Sequence, residues 1–267
     1  MNTISQLWNY SKLSYNLYSL YSEYRNNNSI DTDKSNALID AIHRNVLQCG
    51  AICIKFAQWL LPILDNIYIE GEEKPYWFVS LEDLYENCPI HSIDYSKQIY
   101  YDDFKEIFDD DYKIVDVVGS GSIGQVYKIK NNHTQDYFAL KIIHPNVKNE
   151  LKLFKKFLSF VLWFDCLKTK LYNLVPVNYK QFINNFEEQV NLIHEANYLS
   201  RMKYNYRNNP SIIIPELVKF SENSILMSYE EGEIMDKMDI SDYKKTKIIT
   251  LLYGFIQSNQ LFYDVLH

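Results

Sequence analysis

The chain has 267 residues, enough for one large domain or two modest ones, and its 47% hydrophobic content suits a globular protein with a core. A net charge of −7 gives no overall attraction for nucleic acid or anionic lipid, so no nucleic-acid partner is expected. Four cysteines (Cys49, Cys53, Cys88, Cys166) without C-x-x-C spacing exclude a disulfide scaffold and read as free thiols in a reducing compartment.

The opening MNTISQLWNYSKLSYNLYSLY has neither the basic start and apolar run of a signal peptide nor the arginines of a transit peptide, which leaves location open. Residues 1–25 carry Leu and aromatic positions at helical spacing, and RNNNSIDTDKSN interrupts them. From Ala37 to Ile69 the pattern predicts one long apolar helix with Pro62 late in it. EGEEKPYW reads as a loop, SLEDLYENCP as a short helix capped by Ser80, and YYDDFKEIFDDDY as another with a solvated acidic face. The most apolar stretches, AICIKFAQWLLPIL and FLSFVLWF, fall short of the roughly 18 residues that span a bilayer. A soluble or peripheral protein without a transmembrane segment is expected.

At Tyr112 the periodicity changes. YKIVDVVGSG and IGQVYKIK alternate as strands, NNHTQD supplies turn residues, and YFALKII reads as a third strand. Gly119, Gly121 and Gly124 fit G-x-G-x-x-G, a pattern shared by the dinucleotide fingerprint and the kinase phosphate loop. The dinucleotide form needs a helix directly after the glycines, and here a strand follows. Three of the chain's seven glycines fall in this turn, where backbone N–H groups need close approach to something. A phosphate cradle also needs an oriented cation. Lys141, in FALK on the third strand with Ala139 two positions earlier, has the position and context of the kinase strand lysine. Its best carboxylate partner is Glu195 in LIHEANYL, and the nearby His144 reads as structural.

Helical signals return from Pro145 to Lys170. A long helix from Asn178 to Asn205 should bury Phe182, Phe186, Val190, Ile193 and Ala196. SIIIPELV and SILMSYEEG read as short strands, and YKKTKIITLLYGFIQSNQLFYDVLH as an amphipathic helix.

Five ordered segments resemble the UbiB family, also described as aarF-domain-containing (ADCK-like) atypical kinase-like proteins. GAICIKFAQWL resembles the K-x-G-Q helix, with Lys55 and Gln58 in place and Ala57 where Gly is usual. SIGQVYK resembles the S-I-A-Q-V loop, FALKIIHPNV the V-A-V-K-V-Q-H-P strand, NLIHEANYL the D-x-x-x-E-A-x-N helix, and ILMSYEEGE the hinge strand. The resemblance implies an α+β fold: a kinase-like small lobe over residues 112–232, with an antiparallel sheet and a long helix. An N-terminal helical extension over 1–111 would carry the K-x-G-Q helix, and 233–267 would begin a helical large lobe. It also implies ATP as cofactor, held by Gly119, Ser120, Gly121, Ser122, Ile123, Gly124 and Val126 of the loop. Ala139, Lys141, Met227 and Tyr229 would complete the nucleotide contacts, with Lys141 and Glu195 as the catalytic pair. Lys55 and Gln58 would pack over the nucleotide and hinder a bulky peptide substrate.

Three departures qualify the match. The loop is Gly-rich where most relatives are Ala-rich, which should favour ordinary phosphate contacts. The family's E-x-D pair falls on Gln189 and Asn191, so two negative charges are gone and Lys55 is left to Glu188 or Glu195. His267 would open H-x-D-x-H-x-G-N, so residues 1–267 are expected to stop before the catalytic loop and the metal-binding aspartate. No metal ligand is assigned, Mg²⁺ is expected only in a longer form, and turnover is not expected of these residues. The parent activity implied is ATPase or phosphotransfer chemistry linked to isoprenoid-quinone or other lipid metabolism. A catalytically inactive pseudokinase or regulatory nucleotide-binding module, and a lipid- or isoprenoid-binding accessory protein, stand as alternatives.

Overall fold

The computed structural model describes residues 3–27, 33–65, 74–85, 88–163, 178–233 and 235–262. Helices α1 (Thr3–Asn27), α2 (Asp33–Cys49), α3 (Ala51–Asp65), α4 (Tyr76–Glu82), α5 (Ile93–Phe104) and α6 (Phe108–Asp111) come first. Strands β1 (Tyr112–Ser120), β2 (Gly124–Asn131) and β3 (Tyr137–Ile143) follow. Helices α7 (Val147–Trp163), α8 (Tyr179–Gln189) and α9 (Leu192–Tyr206) lead to β4 (Leu217–Phe220), β5 (Ser224–Ser228) and α10 (Asp242–Phe262). The strands form one antiparallel sheet in the order β1-β2-β3-β5-β4. In the β4–β5 pair Leu217 faces Met227, Phe220 faces Ile225, and a bulge falls between Leu217 and Lys219. The α+β class read from the sequence is the class observed.

The first three strands lie where alternation placed them, and the Asn131 side chain closes the turn after β2. Its Oδ1 accepts from the backbone N–H of His133 and Thr134 at 2.8 and 2.9 Å. The helices are more broken than their apolar stripes suggested. The helix expected from Ala37 to Ile69 is two helices meeting at Gly50, whose φ is +94°; its expected end after Asp65 lies outside the described residues. A β-carbon at Gly50 would sit 2.3 Å from the Glu150 carboxylate, which accepts the Ala51 N–H at 2.8 Å and starts α3. Ser80 is not a cap: α4 starts behind Pro75, whose carbonyl accepts from the Phe78 N–H at 2.9 Å, and Phe78 is buried. The helix expected over 100–112 is the end of α5 plus α6, separated at Lys105 with φ 58°. The helix expected from Asn178 to Asn205 divides between Val190 and Asn191 into α8 and α9. This shifts the helical phase, so Leu192 is buried where Ile193 was expected. The strand read in SIIIPELV starts only at Leu217. Cys49, Cys53 and Cys88 are free thiols; Cys166, residues 164–170 of the expected helix, and His267 lie outside the described residues.

The chain forms two compact units, each assembled from three segments. The first comprises Met1–Gln98, Val117–Val126 and Ile142–Val190. Its core joins Ala51 and Ile52 of α3 to Val147, Leu151 and Leu158 of α7 and to Tyr179, Phe182, Ile183 and Phe186 of α8. Phe56 meets Phe182 edge to face and Trp59 meets it at a tilt, with ring centroids 5.2 and 5.1 Å apart. A second cluster packs Ile42 and Val46 of α2 on Ile54, Leu84 and Cys88, with Leu13 and Leu20 of α1 against it. The second unit comprises Ile99–Asp116, Tyr127–Lys141 and Asn191–His267. There Leu192 and Ala196 of α9 bury against Ile225 of β5, and Tyr100 meets Phe104, Phe108 and Tyr112 edge to face. No helix among the described residues is long and apolar enough to cross a membrane.

Candidate functional site

In the second unit, β3 presents Lys141. Side chains alternate along a strand, so Leu140 and Ile142 are buried on one face while Lys141 shares the other with Ala139. The small methyl of Ala139 leaves room beside the lysine. Its Nζ donates to both carboxylate oxygens of Glu195, at 2.8 and 2.6 Å. Glu195 sits in the first turn of α9, a position set by two backbone anchors. Asn191 caps the helix, its Oδ1 accepting the Ile193 N–H at 3.1 Å, and the Leu192 N–H donates to the Glu222 carbonyl at 3.1 Å. Burial of Leu192 and Ala196 against β5 then holds the helix on the sheet.

The segment after β5, where Met227 and Tyr229 were expected to meet the nucleotide, extends the same sheet. Met227 packs against the Leu192–Ala196–Ile225 cluster, and the Tyr229 N–H donates to the Tyr137 carbonyl at 3.3 Å. Lys128 lies over the Tyr229 and Tyr137 rings, 4.2 and 4.6 Å from their centroids, and pairs with Glu231 at 2.7 Å. The turn between β4 and β5 is pinned by Asp103 of α5, which accepts from Ser221, from Ser224 at 2.6 Å and from Asn223 at 3.0 Å.

The glycine loop lies in the first unit. Only Gly124 is dictated by the protein's own packing, because a β-carbon there would lie 2.7 Å from the Ile142 carbonyl oxygen. Gly119 would meet nothing within 4 Å, and Gly121 only the Gly124 carbonyl at 3.8 Å. The turn is closed by the Gly121 N–H donating to that carbonyl at 3.0 Å. Ser122 and Ile123 turn inward. Ser122 is buried and donates to Gln58 Oε1 at 3.2 Å, and Ile123 packs against the α3–α7–α8 core. Val126 is partly buried in β2. The Gln58 amide in turn donates to the Leu84 carbonyl at 2.7 Å, and the Tyr85 hydroxyl donates to the Gln58 carbonyl at 2.6 Å. Gln58 of the K-x-G-Q-like helix is thereby joined to the glycine loop. Lys55, one turn earlier, carries charge toward Cys88; burial raises that thiol's pKa and the ammonium opposes the rise.

Gln189 and Asn191 have different fates. Gln189 is exposed at the end of α8, and Asn191 is the α9 cap. Two groups had no sequence signal. His91, in the coil before α5, is joined ring to ring with His144, and Glu150 starts α3 from 99 positions away. A hydrogen bond between positions far apart in the sequence leaves no periodicity to read.

Among the described residues no group of three or more His, Cys, Asp or Glu side chains could hold a metal ion. Residues 83–267 match the model of the ABC1 atypical kinase-like domain. No curated protein matches the chain. Among solved structures, the complex of Rv3197 with erythromycin from Mycobacterium tuberculosis is similar, at 16% identity and a TM-score of 0.44. That similarity covers 67% of this chain and 45% of the other, so the chain spans less than half the length of that protein. The matched span takes in the glycine loop, Lys141 and Glu195 and covers most of the sequence: the chain belongs to the ABC1 atypical kinase-like family, the UbiB and aarF-domain group that its motifs resemble.

Proposed function

We propose that this kinase-like protein binds an adenine nucleotide, ATP in the first instance, with Lys141 as the cation for its phosphates. The observation that carries the reading is the two-oxygen grip of Glu195 on Lys141. As a stabilising device it would achieve little: at 23% and 44% exposure the two side chains are wet enough that such a pair contributes at most about 1 kcal/mol. As a positioning device it makes sense. Two of the three ammonium protons are taken by the carboxylate and the third remains for a phosphate oxygen.

The glycines support the same reading. Packing does not explain Gly119 or Gly121, and neither has a positive φ, so their lack of a side chain is free to serve an incoming ligand. ATP when bound would supply a γ-phosphoryl group for hydrolysis or transfer. Lys141 would offset phosphate charge, and Glu195 would hold Lys141 in place. Among the described residues the acidic groups do not gather into a metal site.

A second reading, binding without turnover, is favoured by the two amides. Asn191 spends its side-chain oxygen on the α9 cap and Gln189 carries no charge, so neither acts as an acid, a base or a strong metal ligand. The link to isoprenoid-quinone or lipid metabolism rests on the family resemblance.

A thermal-shift titration with ATP and ADP tests the nucleotide reading. Both should raise the melting temperature, and Lys141→Ala should weaken binding by roughly 1.5–3 kcal/mol, the worth of a charge-assisted contact. An unchanged shift in Lys141→Ala would remove the lysine from the site. Hydrolysis measured on the same samples separates turnover from binding alone.

A further inference from the structure

The first unit contains a run of hydrogen bonds that ends on the glycine loop, and its direction follows from what each atom can do. The Gly121 carbonyl only accepts, so His144 Nε2, 2.9 Å away, must carry a proton. In a neutral ring His144 Nδ1 is then bare, and its 2.6 Å contact with His91 Nδ1 requires the proton on His91. His91 Nε2 is left bare in turn and accepts from the Ser96 hydroxyl at 2.7 Å. Every member has one role: Ser96 donates to His91, His91 to His144, and His144 to Gly121.

The grip on the loop extends further. Ser120 Oγ, whose proton goes to the Pro89 carbonyl at 2.9 Å, lies 3.3 Å from the same His144 Nε2. The His144 backbone N–H donates to the Ile123 carbonyl at 2.8 Å. The His91 backbone N–H donates to the buried Gln125 side chain at 2.9 Å. The His144 ring therefore holds Ser120 and Gly121, and the backbone N–H groups of His144 and His91 hold Ile123 and the start of β2.

We propose that His91 and His144 are positioning residues of the glycine loop, clamping its Gly121 turn in the shape that receives nucleotide phosphates as long as the His144 ring is neutral. The nucleotide half of this statement rests on the function proposed above; the clamp itself does not. A second proton on His144 goes to its Nδ1, sets N–H against N–H across 2.6 Å and opens the run, whereas one on His91 goes to Nε2 and only turns the Ser96 hydroxyl from donor to acceptor. Tyr95 and Ser96 face the pair from α5, Ser120 from the loop and Gln125 from β2, and none of these is a carboxylate that would stabilise an imidazolium. Burial, and next the neighbouring ring's charge, push His91 down to about 4. Burial also lowers His144, against the pull of the Gly121 carbonyl. The clamp is closed at neutral pH and opens in acid.

Three measurements on the full chain test this. Ring-nitrogen NMR at neutral pH should show the Nδ1–H tautomer for His91 and the Nε2–H tautomer for His144. Amide exchange across residues 119–124 should speed up in His144→Ala, with ATP affinity falling about tenfold, the equivalent of one lost hydrogen bond. His144→Gln keeps an N–H for Gly121 but cannot titrate. It should recover most of the affinity and flatten the acid limb of the affinity–pH profile relative to the parent chain, in which the nucleotide's own protonation is common to both. The opposite tautomers, loop exchange unchanged in His144→Ala, or an equally steep acid limb in His144→Gln would overturn the proposal. Should His144→Ala fail to fold, the tautomers in the parent chain decide. A chain that binds no nucleotide at any pH overturns the nucleotide half with the function above, and tautomers and loop exchange then decide the clamp.

Discussion

A β-carbon at Gly124 would be pressed to 2.7 Å from the Ile142 carbonyl, whereas at Gly119 it would meet nothing within 4 Å. Backbone cannot step aside as a flexible side chain can. Gly124→Ala should therefore cost about 1–3 kcal/mol, as overpacking does, and Gly119→Ala less than about 0.5 kcal/mol. Urea denaturation of the two variants checks the contrast, and equal midpoints would contradict the loop geometry. The histidine pair carries a pH signature whose sign can be worked out. His91 titrates near the ordinary 6.5 when unfolded, and burial brings it to about 4 when folded, so between these values the unfolded chain holds more protons. Its contribution is fully present above about pH 6.5 and is lost as pH falls through 4, and His144, also lowered, acts in the same direction. Denaturation across that range should show the decline, and His91→Asn should reduce it; stability rising on acidification would refute the assignment. The pairing of Lys141 with Glu195 was legible from the position of Lys141 and its FALK context on the third strand. The role of His91 was not, since its partner lies 53 positions away.

At the scale of elements, strands were easier to read than helices. An alternating run flanked by turn residues has few other ways to lie, and β1, β2 and β3 occupy the expected stretches. The long helices were over-extended because an apolar stripe continues through a break without changing its spacing. What breaks them is local backbone and distant polar groups: the positive φ of Gly50 with the Glu150 carboxylate beside it, and Asn191 capping α9 two residues after α8 ends. Asn191 was legible as an altered family position but not as a cap. Asn191→Ala should cost about 1 kcal/mol, whereas Asn191→Asp should match the parent or exceed it because a carboxylate suits a helix N-terminus. Gly50→Ala should cost more than about 1 kcal/mol, since it combines an unfavourable φ with a blocked position. Chemical denaturation of the three variants gives the ranking, and an Asn191→Ala chain as stable as the parent would remove the cap from the account.

For the whole molecule, sequence order and spatial grouping part company, because the chain passes repeatedly between its two compact units. The core of the first depends on Ala51, Ile52, Phe56 and Trp59 closing over α7 and α8. A fragment beginning at residue 112 lacks all four and should unfold without a cooperative transition; a sharp transition would show that α7 and α8 find another cover. Family membership and fold class were legible because short motifs recur in order along the chain, even though the boundaries between helices were not. The central claim, that Lys141 faces nucleotide phosphates, is tested most directly by an acyl-phosphate derivative of ATP. Such a probe transfers its acyl group to a lysine amine beside the bound phosphates, and peptide mass spectrometry locates the modified residue. The account predicts acylation of Lys141 that excess ATP suppresses; labelling that spares Lys141, or that ATP does not suppress, would contradict it.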